Sequence, residues 1–281
     1  MKSILIMVSI FLSTVSFSKV RIVSDFDDTI KRSNIVDGGF RTVGNASLAF
    51  KPYYDIPTLY IEMEKESNGL YVLSASPSII KSLIKWTLKS YAFPYVDVFT
   101  RSWYEIGSER RKIKYKVNRI ESVLKNNSDT LILLGDNIEA DHNVYMKVAK
   151  RNPGRVAQIY VRKVIQENLP AGIIGFYSAF EIAAHEYSSG RLSFNQVEKV
   201  AKVILNTEQE DLYRIIPYYG ECPTQFSQFN LPLTISLAQL ESKVISKITE
   251  YCKIRHQFDH AETDNYDPTE INNHLVPKET K

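Results

Sequence analysis

The sequence predicts an α/β fold, in which helices flank a parallel sheet and a mostly α-helical C-terminal extension follows. Two observations favour this fold. Short apolar runs alternate with amphipathic helical patterns at intervals of about 30 to 60 residues, which implies parallel strands joined by right-handed crossovers. Several of these runs end in Asp or Ser, at the carboxyl edge where open sheets of this class bind ligands.

Hydrophobic periodicity gives the individual elements. Short apolar runs predict strands at 20–23, 70–73, 96–100, 130–134 and 155–162. Apolar residues at helical spacing predict helices at 58–65, 79–88, 108–126, 138–150, 176–187, 193–205 and 234–253. The strand pattern fades after residue 165. We therefore divide the chain into an α/β unit at 19–165, a helical extension at 166–258 and a polar, disordered tail at 259–281.

Composition excludes some classes of function. The chain of 281 residues is long enough to bury a large core, and 44% hydrophobic with 24% charged residues is ordinary for a soluble globular protein. The formal net charge of +3 is too small to favour nucleic-acid binding, and no Lys/Arg stripe interleaved with aromatic residues is present. We expect no nucleic-acid partner.

The N-terminus has the pattern of a secretory signal peptide. Lys2 precedes a short apolar segment at 4–12, and the Ser-Phe-Ser sequence at 16–18 fits a cleavage site. The apolar segment is short for a membrane span. We expect cleavage near Ser18, so that the mature chain has no transmembrane segment and is periplasmic or secreted. An uncleaved anchoring leader is the alternative.

The two cysteines, Cys222 and Cys252, both lie in the extension. An exported protein favours a disulfide between them, whereas in a reducing compartment they would be two thiols. Neither cysteine belongs to a metal-binding or nucleophile motif, so we assign them no part in the chemistry.

The first strand ends in three carboxylates within four residues, Asp25, Asp27 and Asp28. Carboxylates this close repel one another and are costly to bury unless a cation neutralises them. Because oxygen ligands suit a hard cation, the cluster suggests a metal site at the sheet edge. A solvated acidic turn without a function is the alternative.

Two later strands end in groups that suit the same site. Ser74 follows the second strand and precedes a helix, which favours either an anion pocket at the helix N-terminus or a simple helix cap. Asp136 and Asp141 follow the fourth predicted strand. Since parallel strands end at one edge, we expect Ser74, Asp136 and Asp141 near the first acidic cluster.

The predicted helix at 108–126 is strongly basic. Lys116 lies one residue from the apolar stripe of this helix, so its side chain could turn toward the acidic site. Lys112 and Lys114 are close enough to compete for that position. A solvated basic face without a role in the site is the alternative.

In this order the motifs resemble those of the haloacid dehalogenase superfamily of phosphotransferases, over about half the chain. The order is Asp-x-Asp-x-Thr, then Ser, then Lys, then Gly-Asp-(x)4-Asp. A closer likeness is to the catalytic domain of the actin-patch-type phosphatidate phosphatases. It lies in Asp25-Phe-Asp-Asp-Thr-Ile-Lys, Leu73-Ser-Ala-Ser-Pro, Lys116 with Ile120, Gly135-Asp-Asn-x-Glu-x-Asp with Tyr145, and Ile159-Tyr-Val-Arg162.

This sequence departs from the family pattern at Asn137, where Ser is usual, and at His142, where Pro is usual. Neither is a catalytic position in the family. The lipid-targeting and partner-binding regions of fungal members have no visible counterpart. The departures therefore bear on the preference for a membrane substrate more than on the chemistry.

The resemblance implies a role for each site residue. Asp25 is the expected nucleophile, which forms an aspartyl-phosphate, and Asp27 the general acid and base. Ser74 and Lys116 are expected to hold the phosphoryl oxygens and to neutralise developing charge. These roles place the reaction in the class of phosphoric monoester hydrolysis.

The resemblance also implies a Mg²⁺ site. Its expected ligands are Asp25, the backbone carbonyl of Asp27 and Asp136, with Asp141 in support through water or by orienting neighbours. Asp28 is expected to cap the turn, with a weaker supporting role as the alternative.

Together these inferences predict an exported Mg²⁺-dependent hydrolase of the haloacid dehalogenase fold, similar to phosphatidate phosphatases. Its expected substrate is a phosphate monoester, with phosphatidate at a membrane surface as the specific candidate, although the sequence has no strong amphipathic anchor. Two alternatives stay open. One is a periplasmic phosphatase that acts on soluble monoesters, and the other is a catalytically idle phospholipid-binding module.

Overall fold

Six parallel strands form one sheet with the order β3-β2-β1-β4-β5-β6. The strands are β1 (Val20–Asp25), β2 (Ser67–Pro77), β3 (Val96–Arg101), β4 (Thr130–Asp136), β5 (Val156–Arg162) and β6 (Ile174–Phe176). Every neighbouring pair is parallel. The chain builds outward from β1 first on one side and then on the other, so β1 and β4 flank the point where the strand order reverses. Ligands bind at such a point in open α/β sheets.

The structure is a computed structural model, and it describes residues 20–32, 51–102, 108–217, 220, 222–223 and 234–258. The expected signal peptide at 1–18 and the expected tail at 259–281 lie outside the described residues. The predicted α/β fold, with a parallel sheet and a helical C-terminal region, is confirmed. Strand β6 was not predicted, because three residues are too few to give a periodic signal.

Seven α-helices are described. They are α1 (Ile56–Lys65), α2 (Lys81–Ser90), α3 (Glu109–Lys125), α4 (Asp141–Arg151), α5 (Ala179–Ser188), α6 (Phe194–Asn206) and α7 (Ile235–Ile254). The largest difference from the predicted bounds is a start three residues later, in α4 and α5. Helix α4 starts late because Asp136 Oδ1 accepts hydrogen bonds from the backbone N–H of Ile138 at 2.8 Å and of Glu139 at 2.9 Å. These bonds make a turn before the helix.

The helices cover the two faces of the sheet with two separate apolar cores. Helices α3 and α4 pack on one face, through Tyr115, Ile120 and Val148 among others. Helices α1, α2 and α5–α7 pack on the other, in one continuous cluster that also contains Tyr160 and Phe176 of the sheet. The helical C-terminal region therefore shares a core with the sheet.

The end of the described chain is tied to this core. A disulfide joins Cys222 to Cys252 in the last turn of α7, as an exported protein would favour. Tyr251 donates a hydrogen bond from its hydroxyl to the carbonyl of Ile216 at 3.2 Å. None of the described helices has both the length and the apolar character that a membrane span needs.

Candidate active site

The strand ends that carry the predicted groups are neighbours in the sheet. Asp25 is the last residue of β1, Asp136 is the last residue of β4, and Ser74 lies in the C-terminal half of β2. Strand β1 pairs with β2 on one side and with β4 on the other. Three segments that are far apart in sequence thus deliver polar groups to one place.

Lys116 of α3 reaches into this place and is almost fully buried. Its Nζ lies 2.6 Å from Asp25 Oδ1 and 3.2 Å from Glu139 Oε2, and it also contacts Asp141 Oδ1. Lys112 pairs with Glu139 at the edge of the cluster. The competition between the lysines of α3 is thus decided by geometry, and Lys116 is the one that contacts Asp25.

Lys114 points away from the site. It lines a groove of about 580 Å³ between α3 and α4, on the outer side of these helices, together with Arg110, Lys147 and Arg151. Residues two positions apart face different sides of a helix, which separates Lys114 from Lys116.

Three buried aspartates could hold a metal ion. Asp25, Asp136 and Asp141 each offer one carboxylate oxygen, and these oxygens lie within 4.8 Å of one another. In each of the three side chains the Oδ2 atom is buried without a hydrogen-bond partner in the described part of the chain. Such atoms are costly unless a ligand or ion satisfies them. A set of carboxylate oxygens fits a hard divalent cation such as Mg²⁺.

The charge of the buried part of the site also favours a bound cation. Four carboxylates, those of Asp25, Asp136, Glu139 and Asp141, lie around two ammonium groups, those of Lys112 and Lys116. Among these described groups two formal negative charges are in excess, and a divalent cation would reduce that excess.

Burial has opposite consequences for the acids and for the lysine. Burial raises the pKa of Asp25 and Asp136 well above the ordinary value, and Lys116 offsets this only in part. The pKa of Asp141 is raised for the same reason. Burial also disfavours the charge on Lys116, yet Asp141 and Asp25 hold its pKa well above the ordinary value. Without a metal ion, the three aspartates therefore compete for protons.

Asp27 lies at the open side of the site and is partly exposed. Ser74 donates a hydrogen bond from Oγ to Asp27 Oδ2 at 3.4 Å, and Lys31 Nζ lies 3.6 Å from Asp27 Oδ1. The Asp27 carboxylate is not part of the group formed by the three buried aspartates. Its side chain instead shares a location with Ser74, the residue predicted to bind the phosphoryl group.

Gly135 is required by the close packing behind the site. A Cβ atom at this position would lie 2.7 Å from Asp141 Oδ2 and 2.7 Å from Tyr145 Cε2. Tyr145 is itself fixed, because its hydroxyl donates to the carbonyl of Leu134 at 2.7 Å. The missing side chain of Gly135 therefore lets α4 bring Asp141 against β4.

Sequence reasoning missed two polar residues behind Asp25. Ser24 donates from its hydroxyl to the backbone carbonyl of Asp25 at 2.7 Å, and Tyr60 of α1 donates to Ser24 Oγ at 2.5 Å. The sequence gives no signal for the role of Tyr60, since its position matches one more apolar residue of an amphipathic helix.

Asp28 adopts a positive φ of 50°, a conformation that Asp tolerates in tight turns.

Comparisons with known proteins bear on the first half of the chain. The family whose model matches is described as phosphatidate phosphatase APP1, catalytic domain, over residues 20–163, just over half of the chain. No curated protein matches the chain. One similar solved structure is a variant of the 2-keto-3-deoxygluconate aldolase of Sulfolobus solfataricus in complex with pyruvate. It has 11% identity and a TM-score of 0.24, over 83% of this chain and 98% of that chain, and this similarity is too low to carry an argument.

Proposed function

We propose, because this chain belongs to the family of the phosphatidate phosphatase APP1 catalytic domain, that it is a Mg²⁺-dependent phosphatidate phosphatase-like hydrolase. It would cleave a phosphate monoester through an aspartyl-phosphate intermediate. The observation that carries the proposal is the environment of Asp25, the residue at the end of the central strand. One carboxylate oxygen of Asp25 is held by Lys116, and the other is buried without a partner in the described chain.

The first step uses Asp25 as the nucleophile. A carboxylate oxygen attacks phosphorus, and the bond between phosphorus and the ester oxygen breaks as the new bond forms. Lys116 orients the carboxylate, since its Nζ contacts Asp25 Oδ1 at 2.6 Å. Ser24 holds the backbone of the same residue through the Asp25 carbonyl. Asp25 is thus fixed at two points, which reduces the entropy lost on reaching the transition state.

We assign the proton transfers to Asp27. It lies two residues from Asp25, and its partial exposure gives it access to a leaving alkoxide and then to water. Protonated Asp27 gives its proton to the leaving alkoxide. The resulting carboxylate takes a proton from a water molecule, whose oxygen bonds to phosphorus as the bond to Asp25 breaks. Inorganic phosphate leaves, and both aspartates return to their starting states.

Ser74 and Lys116 are the proposed ligands of the phosphoryl oxygens. The Ser74 hydroxyl lies within hydrogen-bond reach of Asp27, so a phosphoryl group between Asp25 and Asp27 would meet it. Among the described residues, Lys116 is the one whose buried ammonium group contacts Asp25. Both groups would stabilise the negative charge that spreads over the phosphoryl oxygens.

Asp25, Asp136 and Asp141 would hold Mg²⁺, with the Asp27 carbonyl as the further ligand that the family resemblance implies. When bound, the ion would offset negative charge on the phosphoryl group and on the carboxylates around it. The environment of Asp136 supports this assignment, because its Oδ1 accepts two backbone hydrogen bonds while its Oδ2 is buried without a partner in the described chain.

The test is phosphate release by the purified chain from phosphatidate in mixed micelles and from a soluble aryl phosphate, each with and without Mg²⁺. We expect Mg²⁺-dependent release from phosphatidate, and a loss on the order of a thousandfold or more in Asp25→Asn. Asp97→Asn is the matched control, because it removes an exposed carboxylate at the start of β3, on the side of the sheet opposite to the carboxyl edge.

The other outcomes separate the alternatives. Release from the aryl phosphate alone would keep the mechanism and contradict the lipid assignment, in favour of a phosphatase for soluble monoesters. Release that survives in Asp25→Asn would contradict the aspartyl-phosphate route. Absence of release from both substrates, with binding to phosphatidate vesicles retained, would favour the non-catalytic lipid-binding module.

We also propose that the protein is exported after cleavage near Ser18. The disulfide between Cys222 and Cys252 supports this proposal, since such bonds persist in oxidising compartments. The N-terminal sequence of the protein recovered from its producing cell should begin near Lys19. A chain that keeps residues 1–18 and is found with reduced cysteines would contradict export.

A further inference from the structure

Helix α2 carries an unusual exposed surface. Five large hydrophobic side chains in the described chain are markedly exposed, and three of them fall within 79–95: Ile79 at 71%, Trp86 at 55% and Tyr95 at 83%. Single exposed apolar residues are normal, so what matters is whether these side chains share one side. Ile79 lies in the turn directly before α2, and Trp86 lies on α2 seven residues later, a helical spacing that puts both on one side. Tyr95 directly precedes β3, beyond the other end of α2, and is not counted with them. The inner side of α2 is packed through Ile84 and Leu88, so Trp86 belongs to its outer side.

Every charged side chain of α2 is a lysine. Lys85 and Lys89 are exposed beside Trp86, and the sequence from 67 to 96 contains no Asp or Glu. We call Ile79, Ser82, Lys85, Trp86 and Lys89 the α2 face. Exposed apolar side chains with interleaved lysines and no acids complement an anionic lipid surface, where Trp prefers the headgroup level and each lysine adds electrostatic attraction.

The N-terminal end of the α2 face is close to the proposed active site. Ile79 is only five residues after Ser74, so their Cα atoms lie within about 18 Å of each other. A bilayer against the α2 face would therefore present lipid headgroups near the carboxyl edge of the sheet at the Ile79 end of this face. The same edge carries the acidic cluster that surrounds Asp25.

A second basic surface, on the opposite face of the sheet, is the rival. The groove between α3 and α4 has four cationic side chains, but its apolar floor includes Val117, which is buried. One of its cations, Arg151, already pairs with Glu121 at 3.3 Å. The groove thus has charge but no projecting apolar group to enter a bilayer, and it provides a matched control.

We propose that the α2 face is the membrane-docking surface of this protein, and that its partner is an anionic phospholipid bilayer. The proposal rests on the proposed function only in the choice of a lipid as the substrate. Docking through the α2 face would lay helix α2 along the bilayer. The end of this face at Ile79 would then bring the site at the sheet edge near the headgroups. Docking would then lower the KM for a lipid substrate and leave the turnover of a soluble ester unchanged.

The test is co-sedimentation of the purified chain with vesicles of phosphatidylcholine and phosphatidylglycerol, and with vesicles of phosphatidylcholine alone. Phosphatidylglycerol is a phosphodiester, so its binding does not depend on the proposed monoesterase activity. Two double variants are compared with the wild type: Ile79→Ser with Trp86→Ser, and Lys85→Gln with Lys89→Gln. The control is Lys147→Gln with Arg151→Gln, in the groove on the opposite face. All variants keep the same N-terminus, so any contribution of residues 1–18 cancels.

We expect the apolar variant to weaken vesicle binding by about tenfold or more. The lysine variant should weaken it by about tenfold or more, with the anionic vesicles only, and the control should stay within about twofold. Hydrolysis of a soluble aryl phosphate should be unchanged in all three, which also shows that the variants are folded. In a Trp103→Phe background, the emission of Trp86 should shift to shorter wavelength on addition of anionic vesicles.

Three results would overturn the proposal. The first is wild-type protein that does not bind the anionic vesicles. The second is loss of binding in the Lys147→Gln and Arg151→Gln control with the α2 variants unaffected, which would place the membrane on the other face. The third is Trp86 emission that stays constant while the protein binds. If phosphate release fails but vesicle binding follows the α2 face, the docking surface stands and only the proposed catalysis fails.

Discussion

Two buried acidic centres of this protein differ in what compensates their charge. The first is Glu186 on α5, whose side chain is almost inaccessible to solvent. Arg191 donates from Nε to Glu186 Oε2 at 2.6 Å and from Nη2 to Oε1 at 2.8 Å, and Tyr160 donates its hydroxyl to the same carboxylate. Burial opposes its ionisation, but the hydrogen bonds from Arg191 hold the pKa of Glu186 below the ordinary value.

The second centre is the group formed by Asp25, Asp136 and Asp141, which the chain leaves incomplete. One oxygen of each aspartate lacks a partner within the described residues, and burial raises the pKa of all three carboxyls. A buried charge that the chain itself neutralises and hydrogen-bonds belongs to the structure of the fold. A buried cluster that lacks cations and hydrogen-bond donors within the chain is suited to bind a ligand.

The largest effect should come from Asp136→Asn, which removes one proposed ligand charge. We expect hydrolysis to fall on the order of a thousandfold, because the proposed Mg²⁺ would lose a ligand and would no longer offset the charge of the phosphoryl group. The free energy of unfolding without Mg²⁺ should stay equal or rise, since the variant loses an uncompensated buried charge. Steady-state kinetics and thermal melts measure both. A strongly destabilised variant would mean that the aspartate is structural, like Glu186.

The next effect in size should come from Glu186→Gln, which removes the negative charge of the centre that Arg191 and Tyr160 compensate. We expect a loss of about 2 to 3 kcal/mol in the free energy of unfolding, because a buried carboxylate loses its charge-assisted hydrogen bonds with Arg191, which is itself partly exposed. Urea unfolding measures the loss. The control is Glu198→Gln, which removes an exposed carboxylate paired with Lys202 at 3.1 Å and should cost less than about 1 kcal/mol. If Glu186→Gln costs as little as the control, the two centres do not differ as described.

The next effect in size should come from Gly135→Ala, which should lower both the stability and the activity of the protein. The new Cβ would collide with Asp141 and Tyr145, so we expect a loss of about 2 kcal/mol in the free energy of unfolding, together with reduced hydrolysis. Gly172→Ala is the control. Its φ of +87° also disfavours a side chain, but no atom lies within 4 Å of the new Cβ, so it should cost about 1 kcal/mol without loss of activity.

The smallest effect should be the stabilisation by Mg²⁺, and it should depend on pH. The raised pKa values of Asp25, Asp136 and Asp141 favour folding below about pH 4, the ordinary value for Asp, and this contribution is lost as the pH rises through the raised values. The metal-free protein should therefore lose stability toward neutral pH. Mg²⁺ competes with protons for the same oxygens, so its effect should grow over that range.

Thermal melts with and without Mg²⁺ test this dependence. At Mg²⁺ ten times above its Kd we expect a rise in Tm of about 4 °C near pH 7.5 and a clearly smaller one near pH 5. Asp136→Asn should abolish the rise, whereas Glu186→Gln should lower the Tm and keep the rise. A rise that is equal at both pH values would contradict metal binding by the buried aspartates.

The polar strand ends were predictable from the sequence because their signal is local. Asp25, Ser74 and Asp136 each lie within two residues after an apolar run, and parallel strands end at the same edge. The position of Lys116 beside the apolar stripe and the family resemblance favoured it over the other lysines of the same helix, but the helical pattern left Lys112 and Lys114 as competitors. The choice depends on how α3 is rotated over the sheet, which places Lys116 inward and Lys114 on the outer groove.

Other features had no local signal at all. Strand β6 is three residues long and is held by pairing with β5 from Tyr160 to Arg162. Tyr60 supports the backbone of Asp25 through Ser24, a contact between residues 36 positions apart. The exposure of Trp86 was equally hidden, since an amphipathic pattern identifies the buried face of a helix but not what the outer face presents.

By itself, the sequence determined the α/β class, the parallel order of strands and helices, and the set of carboxylates at the strand ends, because periodicity and strand termini are local properties of the chain. The tertiary structure alone decided which oxygens of Asp25, Asp136 and Asp141 converge and which of these carboxylates Lys116 contacts. It also decided that the charge of Glu186 is compensated while that of the three aspartates is compensated only in part. Charge compensation depends on distances of a few ångströms between segments far apart in sequence, and only the folded packing sets those distances.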